Sequence, residues 1–385
     1  MDTITHTELE QGLKISFETN IPEMVYGGIG IGKSYTVREA AKAYAKRIGK
    51  EFRDYSAINN KTRRGIADGT IKDISAMYIF FDIRASGMDP SDIKGLPGLL
   101  GTYVDWLPDI VFMICSRKDF FGCIFFDEMN QALPAVQSAL YQVILDNSAG
   151  SLKLSDNCMR IAAGNRTKDK SNVNKISLAL AARLTNEELQ APTADEWIQN
   201  FAYKNAIYDN IVSYLRFRPS DIYTPINDIK DSMNFANPRN WERLSSQMYM
   251  ADKLYPKKDE VYFDLVDRLA NRNIGGGAAI TFSAYIRLHT KISITEILKD
   301  PSKIKDIEGI DRKLFALDMI AVEYGKKGIK LIETIGSLLQ YIDADIGMSL
   351  IQNLRVKNAQ FFSQFRNSKE GGRWAMDNMQ LFSMQ

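Results

Sequence analysis

Gly27, Gly28, Ile29, Gly30, Ile31, Gly32, Lys33 and Ser34 follow the order Gly, four residues, Gly, Lys, Ser. Glycines at these positions let successive backbone N–H groups converge on an anion with no Cβ in the way. Lys33 would reach the β and γ phosphates of a nucleoside triphosphate as a point charge, and the Ser34 hydroxyl would serve Mg²⁺. Tyr35 follows on the helix whose positive end faces the same anion.

A second group of chemical residues lies in FGCIFFDEMN, where an apolar run ends on Asp127 and Glu128. An acid at the carboxyl end of a parallel strand sits where α/β folds bind ligands. Asp127 would hold Mg²⁺ directly or through water, and Glu128 would orient and deprotonate the attacking water. The plain alternative, an acidic helix N-terminus, is outweighed by the phosphate-binding motif upstream. MRIAA at Met159–Ala163 reads as a further strand ending in Gly164 and Asn165, whose amide would reach the γ-phosphate or the lytic water. A turn-forming Gly-Asn pair is the other reading. In SLALAARLTNEEL, Arg183 stands either as a charge at a helix C-terminus or as an arginine finger.

These residues need a strand before the glycines and a helix after them. Met24, Val25 and Tyr26 supply the strand, and Val37, Ala40, Ala41, Tyr44, Ala45 and Ile48 recur at helical spacing until Gly49. Residues 50–75 read as a solvated loop with a short helix, and Met77–Ile83 as a strand covered on both faces. Residues 91–109, with three glycines, two prolines, Tyr103 and Trp106, are expected to be irregular and to face a substrate. Beyond Pro192 the pattern is wholly helical, with Pro238 opening one helix and a flexible joint from Ile274 preceding a further one. The tail interleaves Arg355, Lys357, Arg366, Lys369 and Arg373 with Phe361, Phe362, Phe365 and Trp374, a mixture that either packs its rings in a helical core or stacks them on nucleic acid.

At 385 residues the chain is too long for one ordinary core and suggests two or three folding units. The 49 basic and 47 acidic side chains nearly cancel, which argues against a dedicated nucleic-acid or membrane surface. No apolar run approaches the roughly 18 residues that span a bilayer, and the polar, acidic start lacks a secretory pattern, so a cytoplasmic protein is expected. Three cysteines without CxxC spacing favour neither a disulfide framework nor a zinc knuckle. His6 and His289, the only histidines, are expected to be surface or structural residues.

Taken together, DPSDIKGLPG, FFDEMNQALPAVQSALYQVILD, IAAGNR and ALAARL resemble the MoxR-like branch of the AAA+ ATPases over roughly residues 20–290. The resemblance implies an α/β fold: a P-loop αβα core with a parallel sheet in the order 5-1-4-3-2, then an all-helical lid. The expected divisions are a core at 1–195, a lid at 196–299 and a C-terminal helical extension at 300–385. It further implies ATP and Mg²⁺ as cofactors, with ATP bound between subunits of a ring, usually a hexamer. Residue by residue it makes Gly27–Ser34 Walker A, Asp127 and Glu128 Walker B, Asn165 sensor 1 and Arg183 the finger. Arg239 falls at sensor 2, with Arg243 one turn later as the alternative, and residues 91–109 fall at the helix-2 insert. The implied work is remodelling or chaperone-type maturation of a protein partner, for which the resemblance suggests a von Willebrand factor A domain protein. A GTPase or nucleic-acid motor related to McrB and a nucleotide-gated scaffold are the alternatives.

Overall fold

The strands in chain order are β1 (Thr3–Ile4), β2 (Glu23–Gly27), β3 (Glu51–Asp54), β4 (Met77–Arg84), β5 (Leu96–Leu100), β6 (Tyr103–Leu107), β7 (Gly122–Asp127), β8 (Ser148–Ala149), β9 (Leu152–Lys153), β10 (Cys158–Gly164) and β11 (Thr185–Leu189). They are taken from a computed structural model, which describes residues 3–100, 103–166, 182, 184–229, 234–289, 293–358 and 360–380. Two units divide the chain, Met1–Pro192 and Thr193–Gln385.

In the first unit, seven strands form one sheet in the order β1-β11-β2-β10-β7-β4-β3, and every pairing is parallel. Its middle, β11-β2-β10-β7-β4, is the expected 5-1-4-3-2 arrangement; β1 and β3 extend it at the edges. The helices of this unit are α1 (His6–Thr19), α2 (Lys33–Arg47), α3 (Asn60–Ala67), α4 (Pro90–Lys94), α5 (Ile110–Cys115) and α6 (Pro134–Asp146).

Continuous apolar strands arise because both faces of this sheet are covered. Along β4, Tyr78 packs edge-on against Tyr44 of α2, which stacks on Phe17 of α1, and Phe80 stacks on Phe125. Ile79 and Phe81 point the other way, into a cluster with Ile124, Phe126, Val136 and Leu140. Burying one such ring contributes roughly 2–3 kcal/mol, so the period-2 alternation fixes which residues end at the top of each strand.

Two expectations are corrected. Residues 50–75 hold β3 as well as α3, because a short polar strand still pairs along β4, from Glu51 opposite Met77 to Asp54 opposite Phe80. Residues 96–107 are a regular antiparallel ribbon, with Leu96 opposite Leu107 and Pro97 opposite Trp106. Pro97 lacks a ladder donor, which a two-stranded ribbon tolerates since both of its strands are edges. The ribbon leaves Leu99 77% and Trp106 47% exposed.

Glu23, the first residue of β2, is only 1% exposed. Burial pushes its carboxyl up to about 7; the nearby Ser16 hydroxyl pulls downward and the Glu187 charge pushes further upward. Neither oxygen meets a hydrogen-bond partner in proper geometry. The folded state thus keeps a proton that the unfolded chain releases near pH 4.5, so stability falls as pH rises from about 4.5 and the full loss is present above about 7. This difference is worth on the order of 3 kcal/mol. Glu23→Gln is expected to raise the melting temperature at pH 8 by roughly 5 °C or more, with the gap closing toward pH 4. A gap that stays constant with pH would show that packing, not ionisation, is what changed.

The second unit is helical throughout its described residues. One buried cluster surrounds Trp241, whose ring meets Phe282 edge-on at 5.5 Å and whose indole N–H donates to the Asp221 carbonyl at 2.9 Å. A second cluster holds Ile335, Leu338, Phe361, Phe365 and Trp374. Three of the four tail rings are therefore core residues, while Arg355 and Arg366 lie over the face of the fourth, Phe362. Among the described residues no helix is long and apolar enough to cross a membrane.

Candidate nucleotide site

The parallel register brings the carboxyl ends of β2, β10, β7 and β4 to one edge: Tyr26 lies opposite Gly164, Ala162 opposite Phe126, and Asp127 opposite Arg84. The loop 27–32 leaves β2 at this edge and enters α2. A Cβ on Gly27 would stand 2.9 Å from the Leu189 carbonyl oxygen, and Gly30 and Gly32 adopt φ of 73° and 105°, a region that side chains disfavour. Gly32 caps α2 without a side-chain acceptor, so no side chain of the cap competes for the helix's positive end.

Lys33 is buried and folds back over the loop, its Nζ donating to the carbonyls of Gly27 and Gly28 at 2.8 and 2.9 Å and to Asn165 Oδ1 at 3.2 Å. One ammonium thereby joins both ends of the loop to the end of β10. Ser34 Oγ donates to Asp127 Oδ2 at 2.9 Å. A hydroxyl and a carboxylate held together are hard oxygen donors of the kind Mg²⁺ takes, so these two residues fit the ion.

Glu128 follows the end of β7 with φ 56° and ψ 31°, in the left-handed region. Its N–H donates to Asp127 Oδ1 at 2.9 Å, and its Oε2 accepts from Ser86 Oγ at 2.6 Å. A non-glycine residue in this conformation is uncommon and persists where surrounding bonds hold it. Ser86, in the turn after β4, thereby occupies one of the two carboxylate oxygens.

Asn165 is fixed through its backbone. The Asn130 side chain donates to the Asn165 carbonyl at 2.6 Å and accepts from its N–H at 3.1 Å. Gly164 permits this approach, since a Cβ there would stand 2.6 Å from Asn130 Oδ1. Asn130 is 4% exposed, so this two-point clamp aims the Asn165 side chain at Lys33.

Gly27–Ser34, Asp127, Glu128 and Asn165 thus converge, as their spacing suggests. Arg183 lies outside the described residues. Arg239 and Arg243 belong to the second unit, both exposed on helix Pro238–Leu254, with Arg243 donating to the Asn240 side chain. Sequence reasoning missed Ser86, Asn130 and His6, whose Nε2 lies 2.8 Å from the Ile31 carbonyl. Asn130 had a signal in its place three residues after Asp127. His6 had none.

The fold and this edge of the sheet define a P-loop α/β protein with a helical C-terminal region. No protein-family model matches the chain, and no curated protein matches it. Among solved structures it is similar to Cdc6p from Pyrobaculum aerophilum, with 12% identity, 91% of this chain and 86% of that chain covered and a TM-score of 0.41. NtrX from Brucella abortus is similar at 12% identity, 92% and 69% coverage and a TM-score of 0.36. A RuvB mutant from Thermotoga maritima gives 12%, 78% and 76%, and 0.33. The strand order and the site geometry carry the reading beyond these figures.

Proposed function

We propose that the chain is a cytoplasmic, Mg²⁺-dependent AAA+ ATPase of the MoxR-like branch, acting as a ring that remodels or matures a protein partner. The observation that carries this reading is the convergence of Lys33, Ser34, Asp127, Glu128 and Asn165 on one sheet edge. Ser34 and Asp127 would hold Mg²⁺, which would supply neutralisation of charge on the β and γ phosphates. Lys33 exchanges its carbonyl partners for phosphate oxygens. Glu128, released from Ser86, takes the proton of the attacking water, and Asn165 orients that water or the γ-phosphate. The β5–β6 ribbon, with Leu96, Leu99, Trp106 and Leu107 exposed, offers anchors of the type that hold a polypeptide partner. A von Willebrand factor A domain remains the partner class that the resemblance suggests.

Glu128→Gln is the direct test, because the amide keeps the shape and cannot accept the proton. It is expected to bind MgATP as the parent does while releasing phosphate at least about a hundredfold more slowly. Normal turnover would place the base elsewhere. The McrB-like alternative predicts GTP preference, and burial of Phe361, Phe365 and Trp374 removes the rings a stacking surface would use. A nucleotide-gated scaffold predicts binding without phosphate release in the parent protein.

A further inference from the structure

His6 stands 25 residues before the P-loop carbonyl that it touches. Its position is set by several independent contacts. β1 pairs with β11 through Thr3 opposite Glu188 and Ile4 opposite Leu189, and Gln190 N–H donates to the Ile4 carbonyl at 3.0 Å. Thr5 then caps α1, taking the Glu8 N–H at 3.2 Å while Glu8 accepts the Thr5 N–H at 2.8 Å. Phe17, three turns on, stacks at 5.1 Å on Tyr44 of the P-loop helix. The helix α1 is thereby pinned at both ends, with its start beside the loop, and the imidazole lands on the Ile31–Gly32 peptide.

A carbonyl oxygen only accepts, so Nε2 must carry the proton in this 2.8 Å contact. In a trans peptide the C=O and N–H point in opposite directions. Anchoring the Ile31 oxygen on His6 therefore turns the Gly32 N–H the other way. Gly32 needs such anchoring, because glycine at φ 105° has no side chain to fix its own peptide plane. The same residue supplies the carbonyl that starts α2, accepting from Thr36 N–H at 2.9 Å and from Thr36 Oγ1 at 3.2 Å.

We infer that His6 is a positioning residue for nucleotide binding: its Nε2–H holds the Ile31 carbonyl and so fixes the Gly32 N–H toward the phosphates. This rests on the nucleotide-binding reading of the P-loop. His6 touches no reacting atom in this role, so its effect falls on affinity rather than on the chemical step. It also makes the segment before β2 a part of the binding site, through one hydrogen bond that no motif records.

The test compares two amides. In His6→Gln the side-chain N–H₂ reaches about as far as Nε2 and can still donate to Ile31; in His6→Asn it falls one bond short. Calorimetry with MgADP and with the slowly hydrolysed MgATPγS should show H6Q within about threefold of the parent and H6N about tenfold weaker, the worth of one well-placed hydrogen bond to a charged ligand. In phosphate release, H6N should raise KM about tenfold and leave kcat within about threefold. Melting temperatures are measured for both, and H6F, which keeps the ring without the donor, replaces H6N if the latter melts lower. H6N or H6F binding as the parent does, or H6Q weakened as much as H6N, overturns the role. Failure of the parent to bind either nucleotide overturns the nucleotide reading itself and this inference with it.

Discussion

Lys33→Ala is expected to weaken MgADP and MgATPγS binding by about a thousandfold, to beyond detection by calorimetry, with the fold intact. The ammonium is the one cation that the P-loop itself carries, and it sits buried against Gly27, Gly28 and Asn165. Alanine leaves the N–H groups of the loop in place but removes the one side-chain cation that the loop sets against the phosphates. Three charge-assisted hydrogen bonds at about 1.5–3 kcal/mol each set the scale. The unliganded protein loses less, because its two loop carbonyls can turn to water. A change in melting temperature of a few degrees without loss of nucleotide affinity would show that Lys33 is a structural clasp, and the P-loop assignment would go with it.

What the sequence revealed and what it hid divide by distance and by local conflict. Met77–Ile83 and Cys123–Phe126 were legible as buried strands because their apolar runs leave no room for a solvated face, and both lie in the sheet as read. Asp127 and Glu128 were legible because a strand end and a glycine-rich loop constrain each other. The ribbon at 96–107 was not, since its glycines and prolines argue locally against the ladder that its cross-strand pairs form. Glu51–Asp54 escaped for a similar reason: EFRD is too short and polar to announce a strand until β4 offers it an edge. Asn130 acts through two hydrogen bonds to a residue 35 positions away, and Ser86 through one to a residue 42 positions away; spacing does not encode such partners. Gly164 shows the same limit, for its need to be glycine comes from Asn130 packed against it, not from its own turn.

Arg183 lies outside the described residues, so its test rests on the motif ALAARL and on the chemistry of phosphoryl transfer. A guanidinium stabilises charge spread over the transferring group by donating from a planar fork, and removing such a finger costs about a thousandfold or more in turnover. If Arg183 completes the site of the adjacent subunit, Arg183→Ala should bind MgATP with parental affinity and fail only in hydrolysis. Lys33→Ala subunits, inactive by themselves, still carry Arg183. Rings mixed from the two variants should then regain activity wherever an intact P-loop from the Arg183→Ala subunit meets an intact Arg183 from the Lys33→Ala subunit. An arginine that acts within its own chain gives no such recovery, because every subunit in the mixture lacks one of the two groups. Phosphate release from mixed rings, with mixing verified by differently tagged subunits, separates the cases. If mixed rings form and stay inactive, Arg183 does not act in trans, and the ring reading must find its completing charge on another residue.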